Sequence, residues 1–297
     1  MKTLEQRIPY QINAEYLIGN LIEKAQPAAI GKIGGTEGKA LAIGRNRFVR
    51  TLRPSKVARR MQSLYELSGV YPNTPATFDA FIDFFGGKIL PEVDYLAKWR
   101  GEDDEALRHT YGLKAEWLPP ETLSTLPERW WLSLRGKRVV VISPFKASLL
   151  RQIDRLAEVW PRGDLPLGSG QVRIIQSPFH AHLAPPRFDS WFESLKHLEQ
   201  ELAREPYDVM LVGAGAWSLP LCVAAKRSGR VGIHLGGVLQ LLFGIVGSRW
   251  NKDKNPIRAR SDISSLFNDS WIAPDLADTP EAIKRASSLF RADCQYW

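Results

Sequence analysis

Val209-Met210-Leu211-Val212-Gly213-Ala214-Gly215-Ala216-Trp217-Ser218, followed by Val231-Gly232-Ile233-His234-Leu235-Gly236-Gly237, decides how this chain folds. Each stretch is a short apolar run that stops at small residues and leads into a helical pattern. The first helix extends to about Arg227 and the second to about Phe243. A run with no polar alternation suits a strand covered on both faces. The glycines that follow permit a tight turn. The same unit recurs outward. Val139 to Ile142 runs into Ser143-Pro144-Phe145 and a helix from about Ala147 to Val159. Val172 to Ile175 is a further strand, and Phe188 to Arg204 is an amphipathic helix. Upstream, Ala28 to Ile33 meets Gly34-Gly35-Thr36-Glu37-Gly38, and a helix begins near Lys39. Strands alternating with helices predict an α/β fold, with a Rossmann-like parallel sheet, helices on both faces and right-handed crossovers.

The remaining segments fit around that sheet. Residues 8 to 25 read as a helix with Tyr16, Leu17, Leu21 and Ile22 on one face. Residues 55 to 112 carry helical periodicity broken at Tyr71-Pro72-Asn73 and Gly86-Gly87, and 118 to 128, with three prolines, reads as a long loop. The expected organisation is one domain, 1–297. A strand and turn at 28–38 join the sheet, 39–128 is a mainly helical insertion, and 136–250 holds the βα repeats. A tail, 251–297, packs on the domain, with a short helix near 280 to 290.

A chain of 297 residues with 44% hydrophobic and 24% charged content can bury a full core. Its two cysteines, Cys222 and Cys294, are too few for a disulfide framework, which fits a reducing compartment. Met1 to Tyr16 lacks the apolar stretch of a secretory leader. The longest apolar run, Val231 to Gly247, is interrupted by His234, Gln240 and five glycines, short of the ~20 apolar residues a spanning helix needs. The expectation is a cytoplasmic protein, with any membrane contact peripheral and at the inner face. A net charge of +8 favours anionic partners. The basic residues gather loosely at Arg45 to Arg60 and Arg249 to Arg260. There is no nucleic-acid motif interleaved with aromatics, so nucleic acid is not the expected ligand.

Ligands of open α/β sheets bind beyond the carboxyl ends of the strands. Four turns are expected there: Gly34 to Gly38, Ser143 to Lys146, Gly213 to Ser218 and His234 to Gly237. Small-residue turns that open helices present N–H groups and a partly positive helix end, which suits phosphate. The alternative is that their glycines only allow close packing. Gly213 to Ser218 is an imperfect dinucleotide fingerprint. Ser218 replaces the third glycine, and His234 stands where a ribose-binding acid is wanted. An NAD- or SAM-dependent enzyme stays as an alternative. His234 is a candidate general base or phosphate ligand, or else a histidine satisfied by backbone. His180 and His182 form a pair that could bind metal, or simply lie in a loop. His109 and His197 read as surface residues. Glu37 is either a helix cap or a carboxylate that holds a divalent metal or accepts a sugar hydroxyl. Arg249, followed by Lys252 and Lys254, suits an anion. Trp250 and Trp217 offer flat faces for a base or sugar. No nucleophile elbow or P-loop sequence is present.

Lys32-Ile33-Gly34-Gly35-Thr36-Glu37-Gly38 resembles the Arg-x-Gly-Asp-Gly-Glu turn of bacterial glycosyltransferases with the GT-D fold. Val212 to Trp217, with Pro220-Leu221, Lys226, Gly229 and His234 to Gly237, is similar to the C-terminal half of GT-D-like proteins. Gln240 to Ile245 with Gly247 and Arg249-Trp250 also resembles that group, as do Phe267-Asn268, Trp271, Pro274 and Tyr296-Trp297. The resemblance implies transfer of a sugar from a nucleotide-activated donor to a glycan or other hydroxyl acceptor, in bacterial polysaccharide or glycoconjugate assembly. It implies donor contacts from Lys32, Gly34, Gly35, Thr36, Ser143, Gly213, Gly215, Ala216, Gly236, Gly237, Gln240, Arg249 and Trp250. On that reading Glu37 and His234 are the expected catalytic residues, with His234, from its place at a strand end, the candidate general base. In that family the Asp and Glu of the turn help hold a divalent metal, Mn²⁺ or Mg²⁺. Here Glu37 remains as the metal candidate, Gly35 stands where Asp would be, and Lys32 where Arg would be. A catalytically silent nucleotide-sugar-binding relative is the further alternative.

Overall fold

The computed structural model describes residues 4–45, 51–99, 102–123, 129–161, 165–250, 265–284 and 296–297. Seven strands form one parallel sheet. In chain order they are β1 (Ala28–Gly31), β2 (Tyr95–Ala97), β3 (Glu116–Leu118), β4 (Val139–Ser143), β5 (Val172–Gln176), β6 (Val209–Val212) and β7 (Val231–His234). Across the sheet the order is β3-β2-β1-β7-β6-β4-β5. The helices that matter for the site are α1 (Leu4–Glu23), α2 (Gly35–Gly44), α3 (Pro54–Ser68), α4 (Pro75–Phe81), α5 (Glu102–Tyr111), α6 (Lys146–Gln152), α7 (Trp191–Ala203), α8 (Ser218–Arg227) and α9 (Val238–Leu242).

The strands have no polar alternation because both faces are covered, and successive residues feed two different cores. Ala29, Leu96, Val140, Ile142, Met210 and Val212 join Leu41, Phe81, Trp191 and Leu221 on one side. Ala28, Ile30, Val139, Val141, Val209, Leu211, Val231 and Ile233 join Ile18, Trp130, Leu149 and Phe243 on the other. At Gly232 a Cβ would meet Cys222 Cα at 2.7 Å, so α8 lies directly on the backbone of β7.

The βα repeats match the sequence expectation closely. The insertion differs in two ways. Residues 39–128 are mainly helical, but they also supply β2 and β3, which extend the sheet beyond β1. At three residues each, these strands are too short to show a period. Gly86-Gly87 does not break the helix either. The chain continues from α4 as a π-helix over Ile82–Ile89, and Gly86 leaves room for the Tyr111 ring. Two further expectations shift. α2 starts at Gly35 rather than near Lys39, inside the glycine turn. The buried stripe of α1 is Ala14, Ile18, Leu21 and Ile22, whereas Tyr16 is exposed. Within the tail, Glu281–Lys284 is helical. Lys252, Lys254 and Cys294 lie outside the described residues. Among the described residues no helix is long and apolar enough to cross a membrane.

Candidate functional site

The strand order puts β1, β7, β6 and β4 side by side in the middle of the sheet, so the turns at their carboxyl ends share one edge. They enclose a cleft of about 550 Å³. Lys32, Gly34, Gly35, Thr36, Glu37, Ser143, Gly213, Gly215, His234, Gly236, Gly237, Gln240, Arg249 and Trp250 all line it. Ala216 does not: it points into the core beside α8 and is 1% exposed.

The turns are not equivalent. The one after β1 is open. Gly34 is the N-cap of the ten-residue helix α2, with no side-chain cap bond, and a Cβ on Gly35 would meet nothing within 4 Å. The Glu37 carboxylate folds back over Gly34 and is buried. The turn after β6 is closed. A Cβ on Gly213 would meet the Gly236 carbonyl oxygen at 2.5 Å. Gly215, at φ +55°, lies against the Ser68 carbonyl. The Ala214 N–H donates to Ser218 Oγ at 2.9 Å. After β4, the start of α6 is already capped. Asp278 accepts hydrogen bonds from Ala147 N at 3.0 Å, Ser148 N at 2.6 Å and Ser148 Oγ at 2.6 Å. A resident carboxylate therefore holds the place where a phosphate would bind. The dinucleotide-like turn is a packing device, and in the turn after β1 only Gly35 stands clear, with Glu37 lying over Gly34.

Three cations line the cleft, Lys32, Lys39 and Arg249; Lys39 is exposed, and the other two face each other's charge. Lys32 is 8% exposed, and its Nζ lies 4.2 Å from the centroid of the Trp99 ring. Burial, and then repulsion from Arg249, lower its pKa to about 8. Neither Lys32 nor Arg249 has a carboxylate partner among the described residues. Arg249 Nη1 donates to Tyr296 Oη at 3.1 Å, and its guanidinium lies over the Trp250 and Tyr296 rings. A buried lysine and a half-buried arginine that repel each other, neither paired with a carboxylate among the described residues, form an arrangement that an anion would complete. The acids on the cleft wall are Glu37 and Glu66.

His234, at the end of β7, is buried in the cleft wall. Burial and then the Lys32 charge lower its pKa to about 3, although the Lys32 backbone carbonyl, as an acceptor, opposes them. Its Nδ1 is buried without a partner, as are Ser177 Oγ and Gln240 Oε1 on the same cleft wall. The imidazole is neutral at any ordinary pH. Gln240 is turned toward the tail: Nε2 donates to the carbonyls of Ile245 and Tyr296, both at 3.3 Å. Trp217 stacks on Trp191, and its Nε1 donates to the Trp191 carbonyl at 3.3 Å, so its ring belongs to the core. His180 lines the cleft with Nδ1 2.8 Å from the Glu66 carbonyl, and His182 stands outside it. His109 is exposed, and His197 packs on Phe188.

Three parts of the wall escaped the sequence reading. Trp99 follows β2, a strand the pattern did not reveal. Glu66 to Ser68 come from the end of α3. The third part did leave a signal. Ser143-Pro144-Phe145 after β4 is repeated as Ser177-Pro178-Phe179 after β5, and Ser177 N donates to the Ser143 carbonyl at 3.0 Å. The two phenylalanines receive Trp297 between them, at centroid distances of 5.3 and 6.2 Å.

Compared with family models, with curated proteins and with solved structures, the chain matches none.

Proposed function

We propose that this cleft binds a nucleotide-activated sugar and that the protein transfers the sugar to an acceptor hydroxyl, in bacterial polysaccharide or glycoconjugate assembly. The observation that carries this reading is the pair Lys32 and Arg249. They are cations without a carboxylate partner among the described residues, at the start of α2 and against aromatic rings. A diphosphate supplies the missing negative charge, and Trp250 and Tyr296 offer faces for a base or sugar. In the transfer, the acceptor oxygen bonds to the anomeric carbon. The bond from that carbon to the diphosphate oxygen breaks, and the electron pair leaves with the diphosphate. Lys32 and Arg249 stabilise that charge. The acceptor proton goes to a carboxylate of the wall, for which Glu37 is the first choice. A histidine with a pKa of about 3 is a weak base, so His234 serves better as a neutral hydrogen-bonding group.

The donor set does not suit the divalent metal of the resembled family. Gly35 replaces one carboxylate, and Glu37 is folded onto its own helix end. The cations beside them repel a metal. We infer that Lys32 and Arg249 neutralise the diphosphate themselves. The closed turn after β6 also disfavours NAD or SAM, whose phosphates or carboxylate would need its N–H groups. Gly35 in place of Asp supports one second reading, a relative that binds nucleotide sugars without turning them over.

Isothermal titration with UDP- and GDP-sugars, with and without Mn²⁺, tests these statements. Binding that is unchanged by chelator is expected, and absence of binding to any nucleotide sugar would overturn the reading. Donor hydrolysis separates an enzyme from a silent relative.

A further inference from the structure

The charge of this chain is not spread evenly. From Gly38 to Tyr65 there are eight Lys or Arg residues and no Asp or Glu. The rest of the chain holds 32 Lys and Arg against 32 Asp and Glu, so this one segment carries the entire net charge of +8. Its described part shows how the charge is displayed. On α3, Val57, Met61, Leu64 and Tyr65 pack against the core. Lys56 and Arg59, three residues apart, share the face turned away from that packing, and Arg60 is half-buried at its margin. Arg53 caps the start of the helix, and Lys39, Arg45, Arg53, Lys56 and Arg59 are exposed. Leu52, just before them, is 62% exposed. None of these cations pairs with a carboxylate among the described residues.

This arrangement works against the helix that carries it. Arg53 and Lys56 stand at the helix N-terminus, where the backbone dipole favours acids, and the first turn has none. Lys56 with Arg59 and Arg60 places like charges at the spacings where they repel. Stability does not explain the pattern, whereas an external anionic surface does.

We propose that the Arg53–Lys56–Arg59 face at the start of α3, with Leu52 beside it, docks the protein on an anionic lipid surface. The cations bind lipid headgroups and Leu52 enters the interface. A single-stranded nucleic acid would stack its bases on aromatic platforms among these cations. The described residues of the face, 51–63, contain none. The far end of the same helix, Glu66 to Ser68, lines the cleft. Ten residues of helix separate Lys56 from Glu66, about 15 Å at 1.5 Å per residue. Docking therefore holds the cleft mouth close to the headgroups. This inference does not depend on the chemistry assigned to the cleft.

The test is flotation of the full chain with phosphatidylcholine vesicles, with and without phosphatidylglycerol, over a range of salt. Binding only to phosphatidylglycerol vesicles, weakening as salt rises, is expected. The triple variant Arg53→Ala/Lys56→Ala/Arg59→Ala should lose partitioning by roughly a hundredfold. Lys24→Ala/Lys114→Ala/Lys196→Ala removes the same charge from exposed sites elsewhere and should bind nearly as the wild type does. Circular dichroism confirms that both variants fold. Three results would overturn the proposal: no flotation of the wild type, equal loss in the two triple variants, or tighter binding to polyuridylate than to the vesicles.

Discussion

The glycine turns after β1 and β6 look alike in sequence and do opposite things. After β1, Gly35 stands clear of its neighbours, and what lies over Gly34 is the side chain of Glu37 rather than backbone. After β6, Gly213 and Gly215 are pressed against the backbone of neighbouring segments, and Ser218 takes the Ala214 N–H. The more motif-like of the two is the structural one. A glycine pattern therefore states that backbone comes close to something, and only the packing tells whether that something is a ligand or the protein.

Three experiments press on this contrast. The largest effect is expected beside the open turn. Lys32→Met should weaken nucleotide-sugar binding by about a hundredfold, since it removes one of two cations from a desolvated charge contact. The same change should raise stability. The folded-state pKa of Lys32 is about 8, below its ordinary 10.5. The buried charge therefore costs roughly 3 kcal/mol at neutral pH, a cost relieved as pH rises from about 8 toward 10.5. Titration calorimetry together with thermal unfolding checks both arms. Weaker binding with no gain in Tm would mean that Lys32 is solvated.

At the closed turn, Gly213→Ala should cost about 2 kcal/mol, because the added methyl meets the Gly236 carbonyl. Gly35→Ala should change stability by only about 0.5 kcal/mol, because it meets nothing. Denaturant unfolding decides between them, and equal costs would erase the distinction.

His234 lies between the two turns and sets the response to acid. Its folded-state pKa of about 3 is below its ordinary value of 6.5, so the unfolded chain takes up the proton first. Stability is fully present above about pH 6.5. It falls by about 1 kcal/mol between pH 6.5 and 5.5, and by about 1.4 kcal/mol per pH unit further into acid, as acid titrates the unfolded form. Denaturation midpoints at pH 6.5 and 5.5, compared between wild type and His234→Asn, should show this slope in the wild type and a flatter one in the variant.

The parts of the fold that were legible in sequence are those with enough residues to carry a period. β4, β6 and β7 and their following helices fell within a residue or two of their expected places. β2 and β3 did not show, because three residues cannot separate a strand from a loop. Lys226, which donates to Asp94 Oδ1 at 2.6 Å, joins α8 to the start of β2 through a partner 132 residues away. For the site, position along the chain was enough to gather most of the wall, since strand ends must meet at one edge. Which N–H groups stay open was not legible. That depends on Asp278 reaching the start of α6 and on Ser218 turning back to Ala214, both of which are tertiary facts.

The pairing of β1 has a consequence for how the protein comes into being. Ala28 lies opposite Val231, and Ile30 opposite Ile233. The strand that leads to Lys32 and Glu37 is made early and yet waits for β7 to complete its neighbours. Pairings so distant in sequence form slowly, because the long intervening chain must be closed before they stabilise anything. On a ribosome, the first of the central strands would have one unpaired edge until more than three quarters of the chain has been synthesised, and the cleft is among the last features to exist.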